Sequence, residues 1–220
     1  MQLPERVSAI VFDCDGLLVD TEPAWTIGET EIFAENGFEF GPEQKRLVIG
    51  KSLTHSTADM AEYFGQPGNG AALVDRLVEL VEEQLLLGVP ALPGVVDLLD
   101  ALGDRIPIAV ASNSSRRFLA LSLAGAGLSD RFAVTISSEE VEHPKPRPDL
   151  YLEAFARLNS DPATGVALED SATGIEAARG SGAFVLAVPS LPGETVDGDY
   201  IARSLADPAV LGWGRTVQPI

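Results

Sequence analysis

Short, apolar, β-branched runs constrain this chain more than any other feature, because several of them end directly in polar, chemistry-bearing residues. Residues 7–12 read VSAIVF and run straight into DCDG. Residues 106–111 (IPIAVA) run into SNSS, and residues 166–168 (VAL) into EDS. Residues 184–188 (FVLAV) form a fourth run and 132–136 (FAVTI) a weaker fifth. Runs of this length and composition read as strands buried on both faces, as in a parallel sheet. Helical periodicity fills the gaps at 95–102, 116–124, 149–158 and 174–179, and Thr173 followed by Glu176 reads as a capping box for the last. Strands alternating with helices predict βαβ units and an α/β fold with a doubly wound parallel sheet.

One stretch breaks that alternation. From residue 22 to about 87 no strand pattern occurs. Helical patterns lie at 24–36, 43–49, 54–64 and 71–87, with the Gly-rich QPGNG between the last two. VPALPGV then marks a return to the sheet, through Pro90, Pro93 and Gly94. The expected organisation is a core of residues 1–20 and 89–220, with an all-helical cap of residues 21–88 inserted just after the first strand. The connections at 20–25 and 89–94 are the expected hinges.

Composition limits the partners. The chain has 220 residues, 45% of them hydrophobic, and a formal charge of −18. Such a chain can bury a true core, and its acidic surface repels nucleic acid and anionic membranes, so neither is an expected partner. The same charge repels a phosphorylated ligand, so a phosphate site needs local positive charge from a metal, a lysine or backbone amides. Cys14 is the single cysteine, which rules out an internal disulfide and fits a reducing cytoplasm. The apolar run at the N-terminus is stopped by Asp13, too early for a signal peptide or a membrane span. The expectation is a soluble, cytoplasmic protein.

The polar residues at the strand ends carry the chemistry. Asp13 and Asp15 are two apart in extended chain, so their carboxylates share one side, and Gly16 permits a tight turn after them. Close carboxylates push their pKa values apart, which suits a nucleophile beside a general acid/base; a cation site without chemistry uses the same pair. Ser112 and Asn113 open a helix and offer donors to an anion, or serve as ordinary caps. In His143-Pro-Lys-Pro-Arg-Pro-Asp149, three prolines stiffen the loop around Lys145, whose charge can neutralise a carboxylate and a phosphoryl group. His143 and Arg147 read as plain loop residues. Glu169 and Asp170 place two further carboxylates at a strand end. Asp13, the Asp15 carbonyl and Asp170 make an open oxygen set suited to Mg²⁺.

Together these motifs resemble the haloacid dehalogenase-like superfamily over nearly the whole chain. DCDGLLVDTE, ASNS, HPKPRPD and LEDSATGIEAARGSGA match its four motifs, the last very specifically. The resemblance implies a Rossmann-like core, an obligate Mg²⁺ and a covalent aspartyl-phosphate. It implies Asp13 as nucleophile and metal ligand and Asp15 as general acid/base and metal ligand. It gives phosphate to Gly16, Ser112, Asn113 and Lys145, and metal to Asp170 helped by Glu169. The insertion looks like the C1-type cap of the β-phosphoglucomutase and phosphoglycolate phosphatase branch, and DTEPAW resembles the opening of bacterial sugar-phosphate phosphatases. Capped members are monomers by default. Trp25 and Leu53 stand where the mutases usually carry a His and an Arg, the latter three residues after the cap glycine, here Gly50. Lys51 or His55 could substitute, although both read as solvated positions. Glu22, Trp25, Lys51 and His55 are therefore the candidate specificity residues. The expected activity is Mg²⁺-dependent hydrolysis of a small phosphomonoester, a sugar phosphate above others. A β-phosphoglucomutase-like isomerase and a phosphoglycolate phosphatase are the alternatives.

Overall fold

A computed structural model describes residues 1–48, 51, 53–190 and 196–220. The strands are β1 (Arg6–Val7), β2 (Ile10–Phe12), β3 (Ile108–Ala111), β4 (Val134–Ile136), β5 (Val166–Glu169), β6 (Phe184–Ala187), β7 (Tyr200–Ile201) and β8 (Gln218–Pro219). The helices are α1 (Glu22–Glu35), α2 (Pro42–Val48), α3 (Leu53–Tyr63), α4 (Gly70–Leu86), α5 (Val95–Leu102), α6 (Arg116–Gly125), α7 (Asp149–Arg157), α8 (Ala172–Ser181) and α9 (Pro208–Thr216). The chain divides into two compact units, residues 1–20 with 90–220 and residues 21–89.

The larger unit is a Rossmann-like, six-stranded sheet in the order β4-β3-β2-β5-β6-β7, parallel throughout. Its inner strands are buried on both faces, which is why they read as continuous apolar runs. The chain winds outward from β2 to β4, then returns to the other side of β2 to lay down β5. The order therefore reverses between β2 and β5, and a crevice at the carboxyl ends of these strands is where ligands bind in such sheets. Tyr151, Leu150, Ala154 and Phe155 of α7 pack into the core under that sheet.

The single run at 7–12 proves to be two strands. Val7 pairs with Pro219 in a separate two-stranded sheet, whereas Ile10 pairs with Ile108 and Val166. Between them the Ser8 amide donates to the Thr164 carbonyl at 2.9 Å, and the chain changes sheets there. The C-terminal tail, which carries no readable signal, forms α9 and β8 and is tied to the N-terminus by Trp213 Nε1 donating to the Pro4 carbonyl at 2.7 Å. The capping box expected at Thr173 is displaced: Ser171 caps α8, its hydroxyl accepting from the Gly174 amide at 3.1 Å.

Residues 21–89 form a helical unit. Its centre is Phe33, ringed by Phe40, Tyr63 and Phe64 at centroid distances of 4.8–5.5 Å. Gly28 lets α1 approach α4, since a Cβ there would stand 2.9 Å from Val81 and 3.1 Å from Leu77. Of the helix expected at 43–49, residue 49 lies outside the described residues, as does Gly50.

Just inside the larger unit, the two crossing segments lie side by side. The Asp20 amide donates to the Pro90 carbonyl at 3.1 Å, and the Leu92 amide to the Leu18 carbonyl at 3.0 Å. Gly94 follows, with φ +87° and a Cβ position 2.1 Å from the Ala206 nitrogen. A side chain there meets backbone that cannot swing away. Gly94→Ala is expected to destabilise the protein by about 3 kcal/mol, read from urea unfolding midpoints.

Candidate active site

Three strand ends meet at the reversal point. Asp13 follows β2 directly, and its amide donates to the Leu168 carbonyl of β5 at 3.0 Å, so the chain stays in register while its side chain leaves the sheet. Gly16 turns the chain at φ +85°, and a Cβ there would stand 2.3 Å from Asp170 Oδ2, so this turn can lie against Asp170 only without a side chain. The Leu18 and Val19 amides close it onto the Cys14 carbonyl at 2.9 and 3.0 Å. Cys14 is fully buried, and burial pushes its thiol well up, which makes it an unreactive core residue.

Asp15 points to the end of β3. Its Oδ2 accepts from the Ser112 hydroxyl at 3.2 Å and from the Ser114 hydroxyl at 2.8 Å. Asn113 faces Lys145. Its side-chain oxygen accepts from the Lys145 amide at 2.9 Å, and its Nδ2 donates to the Lys145 carbonyl at 3.2 Å. This reciprocal pair pins the backbone of the proline-rich loop, in which His143, Pro144, Pro146 and Arg147 are exposed and Lys145 alone is buried. Expected as a phosphate ligand, Asn113 here uses both ends of its amide to hold the lysine in place.

Lys145 Nζ bridges Asp13 Oδ1 and Glu169 Oε1, the latter at 2.5 Å. Burial by itself favours loss of the lysine proton; the charges of Asp13 and Glu169 and the hydrogen bonds to them reverse that and hold the ammonium above its ordinary value. Glu169 is completely enclosed. Its Oε1 also accepts from the Tyr151 hydroxyl at 2.7 Å, and its Oε2 accepts from the Asp170 amide at 3.0 Å and from the Ser171 amide and hydroxyl at 3.3 Å each. Asp170 is buried beside it. Burial, and then the Glu169 charge, raise its carboxyl to about 7 against the opposing hydrogen bond from Ser190. Asp13 is likewise pushed well up by burial, with Lys145 pulling the other way and Glu169, Asp170 and Asp15 adding to the rise.

The result is an oxygen-rich pocket short of positive charge. Asp13, Glu169 and Asp170 each offer a carboxylate oxygen, all within 4.8 Å of one another. Hard oxygens crowded in this way, with two of the three carboxyls driven up in pKa, fit a small divalent cation. Tyr151, Ser114, Ser171 and Ser190 went unnoticed in the sequence. Ser114 and Ser171 sit in the motifs already singled out, whereas Tyr151 gave no signal beyond an apolar helix position.

The helical unit holds the residues expected to set specificity. Glu22, Trp25 and Lys51 line a cavity of about 230 Å³ together with Glu29 and Lys45; His55, exposed on α3, is not among its described lining residues. Lys45 Nζ lies 2.7 Å from both Glu22 Oε1 and Glu29 Oε2 and donates to Thr26 Oγ1 at 3.0 Å. Lys51 pairs with Asp59. Burial raises the Glu29 carboxyl although Lys45 opposes it.

The sequence profile of the haloacid dehalogenase-like hydrolase family matches residues 10–188. The chain belongs to this family. The match takes in Asp13, Ser112, Lys145 and Asp170, and the whole helical unit with them. Among haloacid dehalogenase-like relatives, hexitol phosphatase B of Escherichia coli K12 is 32% identical over 198 residues, 86% of this chain and 87% of that protein. The bifunctional riboflavin kinase/FMN phosphatase of Arabidopsis thaliana is 30% identical over 219 residues, 96% of this chain but only 57% of that protein, so the chain spans little more than half of it. The crystal structure of CbbY from Rhodobacter sphaeroides in complex with phosphate superposes with a TM-score of 0.77 at 26% identity, over 94% of this chain and 99% of that one. No described helix is long and apolar enough to cross a membrane.

Gly174 tests the packing of this haloacid dehalogenase-like site. A Cβ there would stand about 2 Å from the Glu169 carboxyl atoms. Alanine is the better helix former by about 1 kcal/mol, yet Gly174→Ala is expected to lower stability by about 2 kcal/mol in thermal unfolding, because the buried carboxylate has nowhere to go.

Proposed function

We propose that this chain is a Mg²⁺-dependent phosphatase that hydrolyses a small phosphomonoester of a sugar or sugar alcohol through an aspartyl-phosphate on Asp13. The observation that carries this reading is the buried Lys145 bridge to Asp13 and Glu169, with Asp15 held two residues away by Ser112 and Ser114. The phosphate-bound CbbY structure and hexitol phosphatase B support it.

An Asp13 carboxylate oxygen attacks phosphorus while the bond from phosphorus to the ester oxygen breaks. Asp15, entering protonated, gives its proton to the departing alkoxide. A water then attacks the phosphoryl group and surrenders a proton to Asp15, the bond from phosphorus to the Asp13 oxygen breaks, and inorganic phosphate, the Asp13 carboxylate and protonated Asp15 are left. Lys145 holds Asp13 against competing protonation and faces the charge that builds on the phosphoryl oxygens. Ser112 and Ser114 orient Asp15; the Ser112 and Gly16 amides, expected to serve phosphate, donate instead to the Ile136 and Val19 carbonyls at 3.0 Å each. Asp13, Asp170 and the Asp15 carbonyl are the groups that would hold Mg²⁺, with Glu169 beside them, its oxygens already accepting from protein donors. Mg²⁺ when bound supplies the positive charge that four carboxylates and one lysine lack.

We assign recognition of the organic part of the substrate to the helical unit, as its cap. The charged lining residues of its cavity are two of each sign: Glu22, Glu29, Lys45 and Lys51. Lys45 is tied to two carboxylates and Lys51 to Asp59, so among the described residues the cavity carries no net positive charge for a second anion. A mutase must grip a second phosphate and a phosphoglycolate phosphatase a carboxylate. An uncharged polyhydroxy group suits this balance better, with Glu22 and Glu29 as acceptors, Lys45 as donor and the Trp25 ring as an apolar face.

A panel of sugar and sugar-alcohol phosphates with Mg²⁺ tests the reading through phosphate release. Asp13→Asn is expected to cut turnover by roughly four orders of magnitude or more; undiminished activity in that variant rejects the nucleophile. β-Glucose 1-phosphate in the same panel should yield free phosphate, and glucose 6-phosphate as the main product would make the chain a mutase.

The Asp170 carboxyl, at about 7, predicts a pH dependence of opposite sign with and without metal. Between its unfolded value and about 7 the folded, metal-free protein binds more protons than the unfolded chain, so its stability falls as pH rises through that window. Mg²⁺ needs the deprotonated group, so its affinity rises towards pH 7 and levels off above. Calorimetry at pH 6 and 8 should show Mg²⁺ binding roughly ten-fold weaker at the lower pH, while melting of the metal-free protein is higher at pH 6 than at pH 8. Equal affinities at the two values would remove Asp170 from the metal set.

A further inference from the structure

Tyr151 lies in the first turn of α7, fully buried, and nothing in the reaction above uses it. Its hydroxyl donates to Glu169 Oε1 at 2.7 Å, the oxygen that also accepts from Lys145 Nζ at 2.5 Å. The ammonium stands over its ring, 5.0 Å from the centroid. A buried tyrosine with a purely packing role gains nothing from its hydroxyl, which must find a partner or remain costly. This one finds the carboxylate that shares the lysine with Asp13.

The two oxygens of Glu169 are held differently. Oε2 is fixed by three donors from residues 170 and 171, at the end of its own strand. Among the described residues, Oε1 is held by Lys145 and Tyr151 only. The terminal torsion of a glutamate is soft, and a lysine stem has four rotatable bonds. Without a neutral, rigid donor on Oε1, the carboxylate and the ammonium can turn together. We propose that Tyr151 is a positioning residue: its hydroxyl locks Glu169 Oε1 and its ring backs the ammonium, so that Lys145 presents its remaining N–H to a phosphoryl oxygen. The proposal rests on the phosphatase reading for what Lys145 binds, but not for where Lys145 stands.

Tyr151→Phe keeps the ring and removes the hydroxyl. Calorimetric titration of the Mg²⁺-loaded protein with inorganic phosphate should show affinity about ten-fold weaker in the variant. Mg²⁺ half-saturation should change by less than about two-fold, because the Oε2 side of Glu169, next to Asp170, is untouched. Unchanged phosphate affinity would overturn the proposal. So would a loss confined to Mg²⁺, which would assign Tyr151 to the metal instead. A second readout needs no turnover and no ligand. In metal-free protein labelled with ¹⁵N-lysine, the Lys145 ammonium, identified by its absence in Lys145→Arg, should give a slowly exchanging resonance that is shifted or lost in Tyr151→Phe. An unaltered resonance refutes the positioning role even if the variant melts lower. If the wild-type protein releases no phosphate from any substrate, the phosphatase reading fails alone, and the ammonium resonance still decides the role of Tyr151.

Discussion

A lysine ammonium buried between two carboxylates governs the arrangement of the larger unit's strand ends. Lys145 comes from the loop before α7, Asp13 from the end of β2 and Glu169 from the end of β5. Burying any one of these charges alone would cost several kcal/mol, so each carboxylate needs the lysine, and the lysine needs both carboxylates, within hydrogen-bonding distance. That requirement explains features that look unrelated. Asn113 holds the Lys145 backbone, Tyr151 and Ser171 hold Glu169, and Gly16 and Gly174 leave room for carboxylates that any side chain would displace. A buried ion pair of this kind is poor as a source of stability. Its value lies in placing one positive charge, at a fixed point, in a protein whose net charge is −18.

The sheet makes this meeting possible. With β2 at the centre and the winding direction reversed beyond it, the ends of β2, β3 and β5 (Phe12, Ala111 and Glu169) come side by side although 58 to 157 residues separate them in sequence. Parallel strands all present their carboxyl ends to one edge, so acidic and hydroxyl residues placed just after each strand are gathered without long loops. The charge of the gathered set is then unbalanced: Asp13, Asp15, Glu169 and Asp170 face one lysine. The raised Asp13 and Asp170 carboxyls express that imbalance and mark the pocket as one suited to a cation.

The helical unit follows a different electrostatic rule. In its cavity each lysine is matched by carboxylates from its own helices, and Thr26 completes the shell of Lys45. The strand ends of the larger unit thus gather unbalanced charge, whereas in the cavity of the helical unit the charges cancel. The contrast suits the proposed division between phosphoryl chemistry and recognition of an uncharged group.

Much of this was legible in the sequence, for local reasons. The apolar runs at residues 10–12, 108–111 and 166–168 declare buried strands because period-free hydrophobic segments fit only there. The polar residues after them mark a candidate site because strand ends are where a parallel sheet opens. The helical unit was legible because nothing between residues 22 and 87 could alternate as a strand. What the tertiary structure alone decided is which partner each polar group takes. Asn113 has the same amide whether it meets a ligand or the Lys145 backbone, Tyr151 is one more apolar position on a helix until Glu169 lies above it, and Lys45 is a surface-like lysine until α1 brings Glu22 and Glu29 to it. The pairing of Val7 with Pro219 is likewise invisible to any local pattern. Hydrophobic periodicity acts over a few residues and is written in the chain. The pairing of buried charges depends on distances of a few ångströms between segments that meet only when the sheet closes.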